Sequence, residues 1–211
     1  MAPEEPGIFL QKIFSAKDNQ ALEKVYDQWA EQYDEHLTGF GYQIPAVAAG
    51  LLCRHLTPET TPILDAGAGT GMMGEILDTL GYQGQVGIDM SEGMLDMAAQ
   101  RNVYAGIYQM VLGERLDFPN DHFSVCQSVG VFTTGHAPAS AFDELVRVVH
   151  PDGHILFSLL EEIYEEKGFR NKFDELENEG KWQIVEKTKT FPGLPLEDPN
   201  LLHRVYIYRV N

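Results

Sequence analysis

Over residues 19–38 the apolar side chains Leu22, Tyr26, Trp29, Tyr33 and Leu37 recur at every third or fourth position, which stacks them on one face of an α-helix. Gly39 and Gly41 end that helix, and a second apolar helical stretch covers residues 44–56 before Thr57 and Pro58. The period then changes. Residues 62–66 form a short apolar run of the kind that makes a buried strand, followed by a glycine-rich turn and a helix over 70–80. Residues 85–89 read as a second strand, and Ser91 caps the helix behind it because its hydroxyl can accept an amide proton of the first turn. Residues 104–112 and 123–130 read as the third and fourth strands, and 139–150 as a helix. Pro151-Asp152-Gly153 supplies a turn into a fifth strand over 155–159.

Strand and helix thus alternate along the chain, and crossovers of this length return each strand parallel to the last. The expected fold is α/β: a doubly wound, mostly parallel sheet with helices on both faces. After a helix over 161–180, two strand-like runs, 182–191 and 201–210, follow with no helix between them. They must pair as an antiparallel hairpin, which brings the sheet to seven strands. Residues 1–18 read as a loose opening and 19–57 as an N-terminal helical unit. Residues 58–211 read as the core of a single domain, with no boundary after Pro58.

Charge narrows the partners. Fifteen Lys and Arg stand against 32 Asp and Glu, a formal net charge of -17, and such a field repels nucleic acid and anionic membrane surfaces. The most apolar window, 44–53, is about half the length that spans a bilayer. The opening residues lack the basic and apolar regions of a secretion signal. Cys53 and Cys126, far apart in apolar stretches, read as small packed hydrophobes rather than a disulfide or zinc pair, which suits a reducing cytoplasm.

The run from Ile63 to Gly71 places glycines between a strand and a helix, where backbone amides can form an anion site and missing β-carbons admit a ligand. Asp89 closes the second strand, where its carboxylate can accept from both hydroxyls of a ribose. The pair points to an adenosine-containing cofactor. Gly69, Gly71 and Gly74 also satisfy the dinucleotide spacing G-x-G-x-x-G. Against a nicotinamide cofactor stand Asp65 at the end of the first strand, about sixty preceding residues of helix, and too little following chain for a substrate domain.

The block Leu64-Asp65-Ala66-Gly67-Ala68-Gly69-Thr70-Gly71, with Asp89 and the C-terminal hairpin, resembles a class I S-adenosylmethionine-dependent methyltransferase. The segment Tyr26-Asp27-Gln28-Trp29-Ala30-Glu31-Gln32-Tyr33-Asp34 is similar to that of the Williams-Beuren-region methyltransferase-like proteins, and the likeness runs from about residue 20 onward. The resemblance implies that Gly67, Ala68, Gly69 and Gly71 face the methionyl part of S-adenosylmethionine, and that Asp65 anchors the loop and the cofactor's amino group. It implies ribose binding by Asp89, adenine contacts from Met90, Leu112, Gly113 and Glu114, and a sulfonium border at Ser128, Val129 and Gly130. It also makes residues 19–57 a lid whose Tyr26, Trp29 and Tyr33 present rings to a cation. S-adenosylhomocysteine would be the product, with no metal involved.

Periodicity alone makes Trp29 and Tyr33 core residues. His136, in the loop after the fourth strand, lies at the carboxyl edge where doubly wound sheets bind ligands. It is the candidate catalytic base, with a loop-shaping role as the bland alternative. His150 and His154 bracket a proline turn and belong to the surface. The acidic residues after Leu160 form a solvated face, with Glu161, Glu162 and Tyr164 placed to meet a polar substrate. The leading expectation is in-line methyl transfer to a small-molecule acceptor whose reacting atom the sequence does not fix. Its rivals are an S-adenosylmethionine-binding protein without methyl transfer and a small NAD(P)-dependent reductase.

Overall fold

A computed structural model describes residues 9, 12, 13 and 15–211. Helix α1 (Asn19–Gly39) starts behind Asp18, whose carboxylate accepts from the Ala21 amide at 2.8 Å. That bond satisfies an otherwise orphaned donor. Pro45 sits in the first turn of α2 (Ile44–His55), where its missing N–H leaves nothing unpaired. Strands and helices then alternate: β1 (Ile63–Ala66), α3 (Met72–Thr79), β2 (Gln85–Asp89), α4 (Glu92–Gln100) and β3 (Tyr104–Gln109). These are followed by β4 (Phe123–Phe132), α5 (Ala141–Val148) and β5 (Val149–Leu160). The chain closes with α6 (Ile163–Glu166), α7 (Phe169–Asn178), β6 (Trp182–Lys187), β7 (Phe191–Leu194) and β8 (Asp198–Val210).

The sheet order is β3-β2-β1-β4-β5-β8-β6, the doubly wound arrangement expected, with β8 antiparallel to both of its neighbours. The strand β7, which pairs with β8 off this path, arises in what the sequence presents as a loop. The order reverses between β1 and β4, and that switch point opens a crevice at the carboxyl ends of the strands. The central strands β1 and β4 and the second half of β5 are largely apolar on both sides because both sides are covered, whereas the outer strands β3 and β6 are largely exposed. Phe157 faces a cluster with Phe142, Phe173 and Trp182, while its neighbour Leu156 packs against Leu52, Leu77 and Ile207 on the opposite face.

Several boundaries differ from expectation. The helix expected over 161–180 breaks at Gly168, which adopts φ +78°. Pro151-Asp152-Gly153 lies inside β5, at an irregularity where Asp152 has φ +66°. The loose opening expected over 1–18 lies mostly outside the described residues; of those described, Phe9 and Ile13 are buried, and Phe9 stacks on Trp29 at 5.3 Å. Cys126 is buried as expected, but Cys53 is exposed, on the side of α2 turned from the core.

Helix α1 is pinned to the carboxyl edge at two points. Asp27 accepts from the Ser91 hydroxyl at 2.6 Å and the Gly93 amide at 3.0 Å, at the start of α4. Ser91 meanwhile caps α4 as expected, its hydroxyl oxygen accepting from the Met94 amide at 3.1 Å. Arg101 pairs with Asp34 and Glu75 and donates from Nε to the Thr70 carbonyl at 2.6 Å, tying α1 to the glycine turn.

Candidate functional site

Three amides of the glycine turn are already committed to acceptors within the protein. Those of Gly67 and Ala68 donate to the Ile88 carbonyl at 2.8 and 2.9 Å, and that of Gly69 donates to Asp89 Oδ2 at 2.9 Å. The parallel pairing of β1 with β2 delivers these acceptors. The glycines are required for other reasons. A β-carbon on Gly67 would stand 2.2 Å from Val131, whereas one on Gly69 would meet nothing within 4 Å and point into open space. Gly74, the third glycine of the dinucleotide spacing, makes room for the Tyr104 hydroxyl.

This contrast yields a prediction. Gly67→Ala should lower the melting temperature sharply, because the clash adds to a φ of +82°. Gly69→Ala should cost only the left-handed penalty of roughly 1–2 kcal/mol in stability while weakening the ligand that fills the open space. Thermal melts and ligand titration on both variants check it; equal melting temperatures would contradict the packing argument.

The crevice holds a cavity with two carboxylates on its wall and no Lys or Arg. Asp65 is 1% exposed and accepts from the Tyr104 hydroxyl at 2.6 Å. Burial raises its carboxyl to about 7, opposed by the Tyr104 bond and reinforced by the nearby Asp89. Asp89 is also raised by burial, opposed by the amides of Ser91 and Gly69. The Ser91 amide reaches Asp89 Oδ1 at 3.0 Å.

Gly67, Ala68, Gly69, Met90 and Val129 line the cavity as the sequence indicates, as do Tyr26 and Tyr33. Gly71 does not; a β-carbon there would press on Arg101 and α4. Ser128 is buried beneath, donating to the Ala66 carbonyl at 2.7 Å. Of the expected adenine contacts, Met90 and Leu112 reach the cavity, joined by Met110 and Val111. Gly113 packs under Pro138 and Glu114 is exposed, because β3 ends at Gln109 and the chain turns earlier than its apolar pattern suggests. Met72, Met73, Met94 and Tyr42 also line it, and no motif marks them in the sequence.

A second cavity adjoins the first, sharing Tyr26, Tyr33, Tyr42, Gly130 and His136. Trp29 belongs to this one, with its indole N–H donated to His36 Nδ1 at 2.8 Å. His136 Nδ1 lies 2.8 Å from the Thr133 hydroxyl and 3.1 Å from the Thr134 carbonyl. A carbonyl only accepts, so we assign the proton to Nδ1, and Nε2 then accepts from the Tyr26 hydroxyl at 2.6 Å. Burial depresses the His136 imidazole below its ordinary range and raises the Tyr26 phenol above its own. Both groups are therefore neutral.

His203, which no sequence signal marks, also lines the second cavity. Glu161 and Glu162 do not line either cavity: Glu161 pairs with Arg204 at 3.0 Å, and Glu162 accepts from the Thr134 hydroxyl at 3.1 Å. Among the described residues, no cluster of three or more His, Cys, Asp or Glu could hold a metal ion, and no helix is long and apolar enough to cross a membrane.

Residues 64–157 match a methyltransferase domain family. The chain is 30% identical over 164 residues to human methyltransferase-like protein 27, covering 75% of this chain and 66% of that one. It is 37% identical over 84 residues to the bovine 18S rRNA (guanine-N(7))-methyltransferase, covering 39% of this chain and 28% of that protein. The chain thus spans two thirds or less of the length of these relatives. Among solved structures, a TehB-like S-adenosylmethionine-dependent methyltransferase of Corynebacterium glutamicum superposes with TM-score 0.62 at 19% identity, covering 92% of this chain and all of that one.

Proposed function

The chain belongs to the class I S-adenosylmethionine-dependent methyltransferases, and we propose that it transfers the methyl group to a small-molecule acceptor by in-line displacement, in the cytoplasm. One observation supports the cofactor's placement: the first cavity presents Asp65 and Asp89 with no Lys or Arg, while the amides of Gly67, Ala68 and Gly69 are already paired. A pyrophosphate would face two carboxyl groups with no Lys or Arg to offset its charge; a ligand bearing an ammonium and a sulfonium finds complementary charge. These residues fit S-adenosylmethionine and argue against the nicotinamide alternative. Bound there, S-adenosylmethionine supplies a methyl carbon activated by positively charged sulfur.

The protein's part is alignment and the proton. Holding two reactants in line is worth up to about 7–11 kcal/mol in favourable systems. Tyr26 and His136 stand where the two cavities meet, and the neutral imidazole can take the acceptor's proton through the Tyr26 hydroxyl. The strongly acidic chain supports a small acceptor over RNA, although the bovine relative's name states an rRNA substrate.

Isothermal titration with S-adenosylmethionine, S-adenosylhomocysteine, NADH and NADPH tests the cofactor. One-site binding of the adenosyl pair alone is expected, and selective NADH binding would overturn the reading. Radiolabelled methyl transfer to fractionated small-molecule extract and to RNA tests the acceptor class. In the active fraction, His136→Ala and Tyr26→Phe should each lower kcat on the order of 10²-fold, the usual scale of acid–base assistance, with cofactor affinity little changed for His136→Ala. Label appearing in RNA alone would refute the small-molecule assignment.

A further inference from the structure

Resting on the placement of the cofactor in the first cavity, we propose that the second cavity is the acceptor site and takes an uncharged, planar, hydroxyl-bearing molecule, whose hydroxyl His203 receives as a hydrogen-bond acceptor. The walls suit a flat ring. Trp29 lies edge-on to Tyr33 with centroids 4.7 Å apart, and Tyr26 stands 6.4 Å from Trp29. Ile44, Leu160 and Leu194 complete an apolar enclosure.

The lining contains no Lys, Arg, Asp or Glu. A carboxylate or phosphate entering this space would lose its hydration without gaining a counter-charge. Aromatic faces do attract cations, but burial holds both His136 and His203 below the ordinary imidazole range, which marks surroundings that disfavour positive charge. A protonated amine also has no lone pair with which to attack a methyl group. What remains is a neutral molecule with a polar hydrogen.

His203 supplies the matching acceptor. It is 3% exposed, and its Nδ1 lies 3.2 Å from the Leu201 carbonyl, which places the ring proton on Nδ1 and leaves Nε2 as an acceptor. Among the described residues Nε2 has no hydrogen-bond partner, and neither do the hydroxyls of Tyr33 and Tyr42. The ring's position is fixed by Gly193, where a β-carbon would stand 2.4 Å from His203 Nδ1. A buried acceptor facing a cavity favours a ligand that brings a donor. Tyr26 and His136 line both cavities, so the end of the acceptor that lies against them is the end nearest the cofactor.

Trp29 reports occupancy directly. The protein has two tryptophans, and Trp182 is buried in the core against Tyr208. The full chain, with and without saturating S-adenosylhomocysteine, would be titrated with 4-methylphenol, toluene, 4-hydroxybenzoate and tyramine while tryptophan fluorescence is followed. Saturable quenching by 4-methylphenol is expected, lost in Trp29→Phe, with the other three probes binding at least tenfold more weakly. His203→Leu should weaken 4-methylphenol at least tenfold and leave toluene unchanged, and His203→Gln, which keeps an acceptor, should restore much of the binding. Equal or tighter binding of a charged probe, no effect of His203→Leu, or no saturation by the phenol would each overturn the assignment. Calorimetric binding of S-adenosylhomocysteine to the same samples separates the two readings: if it binds and the phenol does not, the acceptor inference fails alone.

Discussion

Asp89→Ala is expected to weaken S-adenosylmethionine binding by at least a hundredfold while leaving the protein folded. Asp89 Oδ1 accepts from the Ser91 amide and Oδ2 from the Gly69 amide. Each carboxylate oxygen has two acceptor sites, so one on each oxygen remains for the two hydroxyls of a ribose. Hydrogen bonds to a charged group contribute about 1.5–3 kcal/mol apiece, and losing two lowers affinity by roughly 10²–10⁴. The alanine also frees the Gly69 amide and loosens the turn beside the ligand. Stability should change little at neutral pH. Burial raises the Asp89 carboxyl, so its ionised form opposes folding above the unfolded value, and removing the charge offsets the two lost amide bonds. Asp89→Asn is no conservative control, because its NH₂ group must face one of the two amide donors. Isothermal titration and a thermal melt at pH 7.5 check this; affinity equal to wild type would end the ribose assignment.

The lettering of the chain foretold the parallel core well because its physics is local. Strands covered on both faces must be apolar throughout, and residues 63–66 and 155–159 are nearly so. What it hid depends on distant partners. Strand β7 contains Pro192 and Gly193, which read as turn residues, and only β8 makes that segment a strand. Glycines before a helix suggest free amides, yet the Ile88 carbonyl, brought alongside by strand pairing, takes two of them. Trp29 defeated the choice between core and site by being both: it is 1% exposed and still walls the second cavity. His203 stands 67 residues beyond His136, and reaches the same cavity because β8 inserts between β5 and β6.

The second large effect is a pH dependence centred on Asp65. With its carboxyl raised to about 7, the ligand-free site holds a proton on Asp65 in mildly acidic solution. A cationic ligand in the same cavity favours the ionised form, so binding below pH 7 must expel that proton. Affinity for S-adenosylmethionine should therefore rise with pH, approaching tenfold per unit well below 7 and levelling above it, or roughly a hundredfold between pH 5 and pH 8.

The ligand-free fold should show the opposite trend. Asp65 keeps its proton when folded and loses it near 3.8 when unfolded, so the folded state binds more protons between 3.8 and about 7. Stability must fall as pH rises across that window, by about 4 kcal/mol in total at 1.36 kcal/mol per unit. Asp65→Asn removes both trends, because an amide does not titrate and its oxygen still accepts from Tyr104. Titrations at pH 6 in two buffers of different ionisation heat should show close to one proton released by the wild type and markedly less by Asp65→Asn. Asp89, also raised, would account for any remainder. Flat wild-type affinity from pH 5 to 8 would place the cofactor's positive charge away from Asp65, and with it the methionyl end of the ligand.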